Sequence, residues 1–230
     1  GSRSSHPCQR RLGGWPGRAL LLAGDHSALA TAGPLGHEDE EALLDCFERS
    51  VSLSVRDAVS AARISALGPL DRVPIVPEPA LLASRVFPVE VLERRLSHLR
   101  LLGLVPEGPF ELVELGLEDP HALVLPSFET GEGTEGLTLE DLVALVFGAT
   151  SVLASSVAAA AVAAAFGTRA VLVARGPAES AAAARELDVP QAETVAQARA
   201  LLAGAAPVRD RAGEQRLDAH FDRLAERARL

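Results

Sequence analysis

Short apolar runs alternate along the chain with longer stretches in which leucine, valine or alanine recurs at helical spacing. The runs RALLLA (18–23), VSLSV (51–55), FELVE (110–114), HALVLP (121–126), TSVLA (150–154) and TRAVLVA (168–174) read as buried strands. Predicted helices fall between them. HEDEEALLDCFER (37–49) has acids in its first turn and Arg49 in its last, the arrangement a helix dipole favours. Asp57 is placed to cap a helix reaching about Ala66, with Gly68 beyond it. From Pro88 to Leu102 the pattern is amphipathic, with Leu92, Leu96 and Leu99 on one face and arginines opposite. Thr138 and Asp141 have the spacing of a capping box that opens a helix to Phe147. Pro177 suits the first turn of another helix, and ETVAQARALLAG (193–204) is a further one. The last helix carries Leu217, Phe221 and Leu224 on one stripe. VPIVP (73–77) reads as a short strand or a linker between subdomains. Strands alternating with helices predict an α/β fold with a parallel sheet, in Rossmann-like lobes.

The stretch SVLASSVAAAAVAAAFGTRAVLVA (151–174) is the most apolar part of the chain. A membrane span needs about 20 apolar residues without a mid-depth charge. Gly167 and Arg169 interrupt this stretch too early, so it predicts no span. It reads instead as strand, helix and strand. Ser155 or Ser156 caps the helix, Val157 to Phe166 forms it, and Gly167 stops it. A unit of this kind closes as a right-handed parallel crossover.

Composition narrows the function classes. The 230 residues carry a formal net charge of −9 and every basic residue is arginine. That balance argues against general nucleic-acid binding, which draws on basic patches to displace counterions. Cys8 and Cys46 have no CxxC spacing, and the histidines at 6, 26, 37, 98, 121 and 220 show no metal-ligand spacing, so neither a disulfide framework nor a metal is expected. A reducing, cytoplasmic setting is the expectation. Gly1-Ser2 reads as a cloning remnant at the head of a disordered segment 1–15. The remaining organisation reads as a partial N-terminal α/β lobe (16–76), a C-terminal Rossmann-like lobe (77–208) and a C-terminal helix (209–230) that packs back on both.

Chemistry concentrates at one bend. Ser155 and Ser156 precede a helix whose first amides lack intrahelical partners, and such a terminus attracts a phosphate or carboxylate. In a parallel sheet this is also the edge where ligands bind. The alternative is that one serine caps the helix and the other packs. Arg56 is a second anion-binding candidate, with an ion-paired or surface role as its alternative, and Asp57 beside it reads as an N-cap. GEGTEG (131–136) matches GxGxxG, but Glu132 and Glu135 would repel a pyrophosphate, so an acidic loop is expected.

Several blocks resemble the polysaccharide pyruvyl transferase family. VSLSVRDAVSAARISALGPLDRVPIVPEPALL (51–82) is similar to the strand, Arg-Asp pair and Ser-bearing helix that lead into that family's second domain. LTLEDLVALVFGATSVLASSVAAAAVAAAFGTRAVLV (137–173) is similar to its C-terminal block, and RLDAHFDRLAERA (216–228) to its closing helix. TAGPLG (31–36), with Thr31 and Gly33, is a fainter echo of a Gly-rich turn in the first domain. The resemblance implies a two-lobed fold related to the GT-B glycosyltransferases, of which this chain would be a shortened member. It also implies transfer of a ketal-forming pyruvyl group from phosphoenolpyruvate to a sugar in cell-surface polysaccharide synthesis. Ligands would be a phosphorylated small-molecule donor and a sugar acceptor, bound by Ser155, Ser156, Arg56, Thr31 and Gly33, with no cofactor.

The chain departs from the family at one point of chemical weight. Val157, Ala158 and Ala159 stand where the family carries Leu-His-Gly, and Ser156 stands where many members carry arginine. Histidine supplies an acid or base near neutral pH, and arginine a bidentate phosphate clamp. Three readings therefore stand open: an active transferase, a degenerate member acting as a binding or partner subunit or as a homodimer, and a GT-B glycosyltransferase with a nucleotide-sugar donor.

Overall fold

The computed structural model describes residues 54–67, 73–128, 133–173, 178–204 and 211–228. The strand expected at 18–23, the helix at 37–49, most of the strand at 51–55, both cysteines, Thr31 and Gly33 lie outside the described residues, as do Pro177 and part of the Gly-rich loop 131–136. So does most of the expected lobe 16–76.

Helix α1 (Ala58–Leu67) is capped as its sequence predicts: the Ser60 amide donates to Asp57 Oδ1 at 2.8 Å and the Ser60 hydroxyl to Oδ2 at 2.7 Å. The flanking segments meet in one parallel bridge between Val55 and Ile75. Val55, Ile64 and Val73 form a small cluster there. A 3-10 turn (Pro79–Leu82) and α2 (Ala83–Val86) lead to α3 (Val89–Leu101), in which Leu92, Leu96 and Leu99 are buried as their spacing predicts.

The centre is a five-stranded, all-parallel sheet in the order β2-β1-β3-β4-β5. Its strands are β1 (Glu111–Glu114), β2 (Leu123–Leu125), β3 (Ser151–Ala154), β4 (Arg169–Val173) and β5 (Gln191–Ala192). β3 is buried throughout and β4 nearly so, which explains their uninterrupted apolar runs. Alternate residues feed two cores. Leu112, Val152, Ala154, Ala170 and Leu172 join one with α3, α4 (Leu139–Gly148), α5 (Val157–Phe166) and α6 (Ala178–Glu186). Val113, Leu153, Val171 and Val173 face α7 (Val195–Gly204) on the other side. The strands β3, β4 and β5 are added in one direction, and the helices before them lie on one face, as crossovers of a single hand require. The chain thus forms a doubly wound, Rossmann-like α/β lobe.

Two features shape the ligand edge. α5 is apolar on every side and buried from Ala159 to Ala165, so its alanines bring its backbone close to the sheet, α4 and the 3-10 turn. Ten residues cannot cross a bilayer, and among the described residues no helix is long and apolar enough to do so. The connection from β1 to β2 spans only Leu115–Ala122 and carries no helix, although parallel neighbours are usually joined by a helical crossover. Gly116, at φ +90°, turns the chain there, and buried Leu117 covers part of the sheet face. The C-terminal helix α8 (Arg211–Ala228) buries Leu217 and Leu224 and lies against the 3-10 turn.

Candidate functional site

The strand order sets the place of the site. The chain passes from β1 outward to β2, then returns to lay β3 on the opposite side of β1, so winding reverses between β1 and β3. Crevices at such switch points, outside the carboxyl ends of the strands, are where open α/β sheets bind ligands. Here that edge is made by Glu114, the last residue of β1, and by Ser155 and Ser156 after β3.

A carboxylate already fills it. Glu114 is fully buried. Its Oε2 accepts from the Ser155 amide at 2.8 Å and the Ser156 amide at 2.7 Å, and its Oε1 accepts from the Ser156 hydroxyl at 2.7 Å. The Ser156 oxygen in turn accepts from the Ala159 amide at 3.1 Å, the N-cap bond of α5. Both serine amides and the Ser156 hydroxyl are therefore engaged by the protein's own side chain. Charge-assisted bonds to backbone amides, at the positive end of a helix dipole, account for a buried carboxylate in this position. Ser155 faces solvent, and Ala158 is half-buried in the first turn of α5.

The other sequence candidates sit elsewhere. Arg56 is buried and pairs with Glu78 at 3.1 Å, so it and Ser156 are engaged by different carboxylates. Its alternative as an exposed surface residue does not hold, because the Val55–Ile75 bridge folds the segment inward. Thr31 and Gly33 lie outside the described residues. His98 and His121 are exposed, whereas His220 is buried, with its Nε2 3.3 Å from the Ser54 hydroxyl. Among the described residues no cluster of three acids, histidines or cysteines is arranged to hold a metal.

Sequence reasoning missed two participants. Glu114 was legible only as the end of a strand; an acid closing an apolar run was the available signal. Arg199 of α7 was not singled out at all. Its Nε donates to Asp119 Oδ2 at 2.6 Å and its Nη1 to Glu111 Oε2, tying the helix-free β1–β2 connection to α7. Hydrogen bonding from Arg199 is the largest cause that holds the carboxyls of Glu111 and Asp119 below their ordinary range, against partial desolvation. Ser151 also donates to Glu111, and the His121 amide to Asp119.

Fold and site together define a Rossmann-like α/β lobe whose switch-point crevice is occupied by an internal carboxylate. Compared with known proteins, the chain matches no family model, no curated protein and no solved structure.

Proposed function

We propose that this chain is a polysaccharide pyruvyl transferase-like protein, from a lineage of GT-B-related enzymes that transfer pyruvate from phosphoenolpyruvate to sugars. We further propose that it acts by binding, as a partner subunit or a self-associating protein, rather than by transfer. The observation that carries the second statement is the crevice between β1 and β3. Glu114 occupies both serine amides and the Ser156 hydroxyl, and the Ala158 side chain, where the resembling family carries histidine, offers no proton donor or acceptor. A phosphorylated donor held by these serine groups would have to expel a buried carboxylate from three hydrogen bonds. Apolar surface at the end of α3 supports a binding role, since Leu101, Leu102 and Leu104 are exposed close together.

The test is thermal unfolding with millimolar phosphoenolpyruvate or a nucleotide-sugar, alongside sedimentation of the same protein. A ligand of the native state must raise its melting temperature. The expected result is no rise with either compound, together with association in sedimentation. A saturable rise with phosphoenolpyruvate would restore the active-transferase reading, and a rise with the nucleotide-sugar would favour a glycosyltransferase. A strictly monomeric protein would count against self-association.

A further inference from the structure

We infer that Glu114 is a built-in ligand that closes the switch-point crevice to external anions. The inference rests on the geometry of this lobe and not on the family reading. The crevice lies where winding reverses, at the carboxyl ends of β1 and β3. The Glu114 carboxylate is fully buried there and takes both serine amides and the Ser156 hydroxyl. Glu114 belongs to a different strand from the helix it serves, more than forty residues earlier in the chain. It therefore acts as a ligand delivered by the sheet and not as a local cap; the local cap is Ser156 itself. Removing the side chain from the backbone of β1 leaves the donors in place and opens a space the shape of a small carboxylate.

The test is chemical rescue. In Glu114→Ala the protein loses stability, and added acetate restores part of it by binding the vacated donors. At acetate about five times its dissociation constant, the melting temperature of the variant rises by roughly 2–4 °C and then saturates. Wild type shows no such saturable rise. Leu153→Ala, which removes buried side-chain volume from the opposite core, is the control for general effects of the salt and shows none either. In the variant, the Ser155 and Ser156 amide resonances move with acetate concentration along the same saturation curve. If Glu114→Ala fails to fold in chloride, the readout becomes the recovery of folded protein on refolding in acetate against chloride. Equal responses in all three proteins, a Glu114→Ala variant as stable as wild type, or recovery equal in the two salts would each overturn the inference. Phosphoenolpyruvate binding to wild type at another place would overturn the functional proposal and leave this one standing.

Discussion

Ser155 and Ser156 are neighbours of the same chemical type, and the structure assigns them very different energetic weight. Replacing Ser156 with alanine removes two hydrogen bonds made by one hydroxyl. One is the N-cap bond from the Ala159 amide, whose loss costs about 1 kcal/mol. The other is the bond donated to Glu114 Oε1, within the range of about 1.5–3 kcal/mol for bonds to charged groups. The carboxylate stays buried, and its other oxygen keeps both serine amides. The two losses share one side chain and do not simply add, so the combined destabilisation is about 2–4 kcal/mol. Ser155→Ala removes an exposed hydroxyl that stands 3.5 Å from the Leu115 carbonyl, at the outer limit of hydrogen bonding, while its amide bond to Glu114 survives. Its effect should stay within about 0.5 kcal/mol. Equilibrium urea unfolding of both variants measures the difference, and Ser156→Ala should show an unchanged slope with a lower midpoint. In thermal unfolding it should melt roughly 4–16 °C below wild type. Two variants equal within 0.5 kcal/mol would refute the view that Ser156 joins the helix to the carboxylate.

Arg199→Met should flatten the acid limb of stability. Glu111 and Asp119 have native values below their unfolded ones, so the unfolded chain binds more protons; their contribution is full above about pH 5 and is lost as pH falls through the native values. Urea midpoints between neutral pH and about pH 3 should therefore fall more steeply in wild type than in the variant, and parallel curves would exclude the clamp as the cause. Gly167→Ala should cost about 1 kcal/mol from backbone conformation alone, because φ is +71° and an added Cβ would meet nothing within 4 Å. Gly148→Ala acts through packing instead: its Cβ would lie 2.5 Å from Leu96 Cδ2. Its destabilisation should shrink in a Leu96→Ala background, a double-mutant cycle that leaves the effect of Gly167→Ala unchanged.

What the sequence determined by itself was the alternation of strands and helices that marks a parallel α/β fold, together with contacts that are local. The Thr138–Asp141 capping box, the Asp57 cap, a serine cap at Ser155 or Ser156, the Gly167 terminus and the buried stripe of α3 all join residues within one or two turns. Such pairs are set by backbone geometry that any helix shares, so spacing alone reveals them. The two-residue β5 was missed because so short a strand is defined by its pairing with β4 rather than by a pattern of its own. Tertiary structure decided the order of the strands, which placed β1 beside β3 and so brought Glu114 to the serines. It decided the Arg199 clamp in the same way, between residues on α7, β1 and a turn. A carboxylate at the end of a strand has no local partner to announce it. Whether the serine amides before α5 met an external anion or an internal one depended on which strand lay next to β3, and no spacing along the chain encodes that.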